Sequence, residues 1–253
     1  MILDYNTTFI ISVLFLVVAF IYSSVGHAGA SGYTAVMALF ALSPVIMRPT
    51  SLILNIAVGL VALYKFNKAK LVPIKKVMPF LITSTPAAFF SASLTVPKEF
   101  FYILLGFFLL ASGIALIFNK FKIKENSDTN QASVYTALAV GAGIGFFSGV
   151  TGTGGAIFFT PLILRYGWAN TKNASGMSIL FVFVNSIFAL LGIAKSGQIN
   201  LVGEIYIWLA AVVIGALVGS HFGINRFTDN RIQKILGLVL VIAAFKLLAT
   251  SIK

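Results

Sequence analysis

The sequence predicts an all-α, polytopic integral membrane protein built as two homologous halves of about five hydrophobic segments each. Three observations carry that prediction. The chain of 253 residues is 59% hydrophobic and only 9% charged, with a mean hydropathy of +1.01, which leaves too little polar surface to clothe a soluble domain. Ten apolar segments follow one another along it, most of them near the roughly 20 residues that a spanning helix needs. Each half also carries a glycine-rich interruption, Gly26-His-Ala-Gly-Ala-Ser-Gly32 and Gly149-Val-Thr-Gly-Thr-Gly-Gly155, with Gly-x-x-Gly-x-x-Gly at the same spacing.

Taken in order, the first segment lies at about 8–25; its flank is acidic (Asp4) and no small-residue cleavage pattern precedes the His27 stretch, so it reads as a retained span. The second, at about 28–47, has an uninterrupted apolar core only from Tyr33 to Leu42, too short to cross unless the preceding glycines also sit at membrane depth. Segments at about 49–66, 74–96 and 99–119 complete the first half. The stretch 120–131 is polar and reads as a cytoplasmic linker between repeats 1–119 and 132–253. The second half runs through about 132–148, 152–166, 173–194, 202–222 and 230–250, and its second member is again short, with its core from Ala156 to Leu164.

The halves align faintly outside the breaks. Gly26, Gly29 and Gly32 pair with Gly149, Gly152 and Gly155, Pro49-Thr50-Ser51 with Gly176-Met177-Ser178, Lys70-Leu71-Val72 with Gln198-Ile199-Asn200, and Gly106 with Gly237, which points to an internal duplication. Charge tests the number of crossings. If all ten segments cross, one face collects Lys65, Lys68, Lys70, Lys75, Lys76, Lys120, Lys122, Lys124, Arg165, Lys172, Arg226, Arg231 and Lys234, which is 13 of the 18 cations. If the two short segments only dip in and return, 8 of these 13 stay together. The positive-inside rule favours ten crossings, which makes the repeats inverted and places both termini outside.

Non-helical backbone at membrane depth is tolerated only when it is buried in protein or faces water. Paired breaks of this kind mark the substrate site of a transporter. The breaks, the copy Ser148-Gly-Val-Thr-Gly-Thr-Gly-Gly-Ala-Ile-Phe-Phe-Thr-Pro-Leu-Ile-Leu, the Pro-Thr-Ser and Gly-Met-Ser stretches and the chain length together resemble the sulfite exporter TauE/SafE family of membrane permeases over nearly the whole chain. The resemblance implies a multi-pass carrier in the cell (plasma) membrane for small sulfur-containing oxyanions, such as sulfite or organosulfonates, working as an exporter.

The residues agree with an anion. All six carboxylates, Asp4, Glu99, Glu125, Asp128, Glu204 and Asp229, fall near segment ends or in loops, so no apolar interior offers an acid to hold a cation. The breaks offer backbone N–H groups at the starts of short helices, where the dipole carries roughly half a positive charge. The candidate substrate-binding set is therefore Gly26, His27, Gly29, Ser31, Gly32 and Thr34 in the first break; Gly149, Thr151, Gly152, Thr153, Gly154 and Gly155 in the second; and Thr50, Ser51, Asn55, Ser175, Ser178 and Asn185 on the helices that follow. Helix packing competes as the account of each glycine, and local hydrogen bonds as the account of each hydroxyl. Arg48 follows the second segment, where a cation can attract anions at the outer mouth, although snorkelling to the headgroups is the favoured account, and Lys246 near the end of the last segment can snorkel similarly.

Other classes meet obstacles. The net charge of +12 lies in loops between apolar runs, which suits a bilayer and not a nucleic acid. There is no cysteine, and only two histidines are present, so neither a metal site nor a catalytic triad is foreseen. Gly141-Ala-Gly143-Ile-Gly145 has the wrong spacing and context for a dinucleotide loop. The expected partners are thus a small anionic solute and the lipid bilayer, with no cofactor and no enzymatic activity. A carrier or channel for another small anion or a neutral solute, and a scaffold whose glycines only pack helices, meet the same composition.

Overall fold

The computed structural model describes residues 4–24, 26–118, 132–225 and 230–251; the linker 120–131 lies outside the described residues. Ten helices are described: α1 (Tyr5–Ser24), α2 (Ala30–Leu39), α3 (Pro44–Lys68), α4 (Ile74–Ala92), α5 (Lys98–Ile117), α6 (Val134–Thr151), α7 (Ala156–Arg165), α8 (Thr171–Lys195), α9 (Ile205–Asn225) and α10 (Asn230–Ser251). Asp4 accepts the Thr7 amide at 3.0 Å and so caps α1. Among the described residues, six helices are long and apolar enough to cross a membrane. They expose rows of large apolar side chains, Phe9, Val13 and Val17 on α1, Phe107 on α5 and Ile214 on α9 among them. Such surfaces suit lipid, not water, and the protein is a polytopic membrane protein.

Segments two and three divide differently from the sequence expectation. Ala41 adopts φ 57° and ends the second helix at Leu39, and Ser43-Pro44 then starts α3, with proline in the first turn, where its missing N–H costs nothing. The third helix therefore begins five residues earlier than the hydropathy profile suggests. The short helices are real: α2 and α7 have 10 residues each, about 15 Å, half of a hydrocarbon core of about 30 Å.

Helix lengths run 20, 10, 25, 19 and 20 residues from α1 to α5, then 18, 10, 25, 21 and 22 from α6 to α10. Packing follows the same exchange: α1 lies on α9 as α6 lies on α4, α3 on α9 as α8 on α4, and α5 pairs with α10 and α3 with α8. Two aromatic clusters fix the short helices inside this frame. Tyr33, the fourth residue of α2, meets Phe15 of α1 edge-on at 5.1 Å, and Phe15 in turn meets Trp208 of α9 at 5.2 Å. Phe159, the fourth residue of α7, meets Phe80 of α4 at 5.0 Å and stacks on Phe181 of α8 at 4.1 Å.

Candidate substrate site

Each break is a reversal made by glycines in the left-handed region, which side chains with a Cβ rarely adopt. In the first, Gly26 (φ 79°) and Gly29 (φ 104°) bracket His27 and Ala28, and Gly29 is the N-cap of α2. In the second, Gly152 (φ 70°), Gly154 (φ 74°) and Gly155 (φ 86°) carry the chain from the end of α6 to α7, with Gly155 as N-cap. Geometry thus pairs Gly26 with Gly152 and Gly29 with Gly155, three residues away from the pairing that sequence spacing suggested. Two more matches support this register: the aromatic anchors Tyr33 and Phe159, and the fifth residues Thr34 and Thr160 of the two short helices. A reciprocal contact does so as well. A Cβ on Gly26 would lie 2.6 Å from Cα of Ser175 near the start of α8, and one on Gly152 would lie 3.0 Å from Cα of Arg48 near the start of α3.

Gly32 and Gly149 consequently lie inside α2 and α6 and not in the breaks. Gly32 admits Val18 of α1, and Gly149 admits α4 at Ala88 and Ser91, so helix packing is their part.

The two breaks share one cavity. It is lined by Tyr22, His27, Ala28, Gly29, Ala30 and Ser31 from the first, and by Thr153, Ala156, Ile157 and Val182 from the second and from α8. The starts of both short helices therefore border the same space, and the first N–H groups of a helix have no partner within it. The cavity is narrow, with a volume of about 10 Å³, on the order of one water molecule. Tyr22 Oη and Ser31 Oγ share a hydrogen bond of 2.7 Å, and Tyr33 donates to the Ala28 carbonyl at 2.9 Å.

Of the sequence candidates, His27, Gly29, Ser31 and Thr153 line the cavity, and several others hold its walls. Ser51 donates to the Gly152 carbonyl at 2.8 Å; Asn55 Nδ2 reaches the Thr153 carbonyl at 3.4 Å and Ser186 Oγ at 3.3 Å; Thr151 and Thr153 bond each other at 2.8 Å. Ser178 bonds Thr160, whose Oγ1 lies 3.0 Å from His27 Nε2. Thr34 and Asn185 bond carbonyls of their own helices, Ala30 and Phe181, and Thr50 is buried on α3 with its hydroxyl unpartnered.

Sequence reasoning missed Tyr22 and Thr160. Tyr22 lies one turn before the first break and Thr160 one turn into α7, positions that turn inward only because of how α1 and α7 are rotated. It also misplaced Arg48. That side chain does not snorkel: it is 6% exposed, and it donates to the carbonyls of Ala92 at 2.8 Å, Gly149 at 3.1 Å and Leu94 at 3.5 Å. Lys246 is exposed, and its ammonium reaches the carbonyl of Leu39, the last residue of α2, a favourable place for a cation.

Comparison with known proteins gives a consistent picture. Residues 11–247 match the family model described as sulfite exporter TauE/SafE. The chain is 33% identical to the probable membrane transporter protein y4hK of Sinorhizobium fredii over 240 residues, 94% of this chain and 97% of that protein. It is 26% identical to the probable membrane transporter protein YdhB of Bacillus subtilis over 147 residues, 56% of this chain and 58% of that one. No solved structure matches.

Proposed function

Because the chain belongs to the sulfite exporter TauE/SafE family of membrane transporters, we propose that it is a secondary carrier for small sulfur oxyanions, binding them where the two breaks meet. The observation that supports this reading is the shared cavity, bordered by the glycine-capped starts of α2 and α7. Two helix N-termini turned to one space bring two partial positive charges and unpaired N–H donors to it. The Tyr22–Ser31 pair keeps one hydroxyl hydrogen for a ligand, the Thr153 hydroxyl, which donates to Thr151 here, can turn to one, and none of the described lining residues is acidic. Neutral donors bind an anion weakly enough to let it go, which transport needs.

In the same reading, repeats 1–119 and 132–253 are inverted copies joined by a cytoplasmic linker, both termini face outside, and the carrier sits in the plasma membrane. One half moves against the other and opens the cavity to each face in turn. For an anion that crosses alone, the interior-negative potential drives net negative charge outward, which suits export.

The test is exchange of labelled sulfite, sulfate, thiosulfate or a simple sulfonate across proteoliposomes. Saturable exchange of at least one is expected. Ser31→Ala combined with Thr153→Ala removes two donors without adding bulk, at about 1 kcal/mol each, so a tenfold or greater rise in the half-saturation concentration is expected with folding retained. Wild-type saturation in the double variant puts the site elsewhere. Absence of exchange for all four anions removes the sulfur-oxyanion reading.

A further inference from the structure

His27, Thr160 and Ser178 form a hydrogen-bonded chain that neither the family match nor the oxyanion reading uses. It links three elements: the first break, α7 and α8. Thr160 Oγ1 stands 3.0 Å from His27 Nε2 and is also bonded to Ser178 Oγ, while His27 borders the cavity, half-buried, with its ring edge-on to Tyr22 at 6.2 Å. We propose that His27 is the site of a coupling proton, so that the carrier moves one proton together with each oxyanion.

The identity of the partner at Nε2 supports this. A carboxylate beside His27 would hold it charged, and an ammonium would hold it neutral; a hydroxyl accommodates both states. Toward the neutral ring Thr160 can donate to Nε2 while accepting from Ser178. Toward the imidazolium, which donates through both nitrogens, Thr160 accepts at Oγ1 and turns its own hydrogen to Ser178. Protonation at Nε2 therefore reverses the Thr160–Ser178 bond and keeps the His27–Thr160 bond. The step is acid–base only: one N–H bond forms with a proton from water at one face and breaks to return it at the other.

The charged and titratable neighbours among the described residues are these. From α1 the titratable group is Tyr22 and from α2 it is Tyr33, both phenols engaged in hydrogen bonds. The second break and α7 present Thr153, Ala156, Ile157 and Thr160, and α8 presents Ser178 and Val182. Lys172 is exposed in the first turn of α8, one turn before Ser175. Imidazolium and anion share one cavity, so each favours the other's binding by the same factor. Joint occupancy makes the coupling a symport: a monovalent sulfonate crosses without net charge, so its direction follows the combined proton and solute gradients and not the outward electrical drive on a bare anion, while a divalent anion crosses with one negative charge.

The inference rests on the oxyanion reading, and one assay separates their failures. Wild-type proteoliposomes are clamped at zero potential with potassium and valinomycin and loaded with an internal pH dye, then given an acid exterior and a labelled sulfonate that stays ionised across the pH range. A step of one pH unit is expected to sustain about a tenfold inward gradient of label, with internal acidification in step. Exchange of label without proton movement or uphill accumulation overturns the coupling and leaves the oxyanion reading standing. No exchange of any sulfur oxyanion takes down both.

His27→Gln keeps a polar group near Thr160 but cannot titrate. It is expected to lose accumulation driven by the pH step while its exchange is slowed; wild-type accumulation in this variant overturns the assignment. Should it not exchange at all, binding of the label decides. The wild type is expected to bind at least tenfold tighter at pH 5.5 than at 7.5 and the variant equally at both, and an unchanged pH ratio in the variant overturns the proposal. Thr160→Val, which cannot accept from the imidazolium, is expected to move the pH profile of wild-type binding to more acidic values. An unmoved profile removes Thr160 as the positioning residue.

Discussion

Replacing Gly145 by leucine is expected to leave little folded protein, whereas the same change two residues away, at Gly143, is expected to be tolerated. Gly141, Gly145 and Gly149 recur every four residues along one face of α6, and on α4 they meet the backbone at Phe80, Ser84 and Ala88 in the same step. A Cβ at Gly145 would lie 2.6 Å from Cα of Ser84 and closer still to its carbonyl oxygen. Overpacking costs about 1–3 kcal/mol where side chains can move aside. Here the obstacle is main chain, so the helices must separate along their length. Nothing lies within 4 Å of a Cβ at Gly143, which faces outward. Yield of monodisperse protein in detergent and its thermal midpoint are the readouts. Wild-type values for Gly145→Leu mean that α6 does not seat on α4 as described. Gly215, Gly219 and Gly223 of α9 repeat the device against Leu16, Phe20 and Ser24 of α1, and Gly219→Leu is expected to behave like Gly145→Leu. Small residues with this spacing let backbones approach in a bilayer, where association draws on packing and not on the hydrophobic effect.

The positions of the segments were legible because a spanning helix must be long and apolar, and the shortness of the second and seventh announced the breaks. The register within the breaks was not. Gly-x-x-Gly-x-x-Gly repeats every three residues and so matches its copy at more than one offset; only the backbone angles distinguish a glycine that turns the chain, such as Gly152, from one that seats a helix, such as Gly149. Site residues were legible where chemistry was concentrated locally, as in His27, Gly29, Ser31 and Thr153. Tyr22 and Thr160 depended on the rotation of α1 and α7, which tertiary packing decides. Ser51 and Asn55 were picked out as polar groups near the site, yet they bond the carbonyls of Gly152 and Thr153; donors on α3 hold the second break in shape instead of facing the cavity.

Arg48 was misread because the hydropathy profile starts the third helix at residue 49, which puts the guanidinium outside it. With α3 starting at Pro44, Arg48 is a full turn inside, and its Nη2 bridges Ala92, the last residue of α4, to Gly149 in the last turn of α6. Two helix C-termini, each carrying roughly half a negative charge, thus meet one guanidinium. Arg48→Met is expected to bare these carbonyls at about 1–3 kcal/mol per group left unsatisfied, offset in part by relief from burying a cation. The net result is a lower thermal midpoint in detergent and at least a tenfold loss of oxyanion exchange, because the backbone of Arg48 abuts Gly152 and its side chain fastens α6 just before the break. Arg48→Lys keeps the charge but not the planar fork that spans two helices, so it is expected to recover part of the stability and little of the exchange. If lysine restores exchange in full, charge alone is what the position supplies; if methionine does, the bridge is dispensable. A loss in both variants, larger in exchange than in stability, means that this guanidinium holds the second break in its working shape.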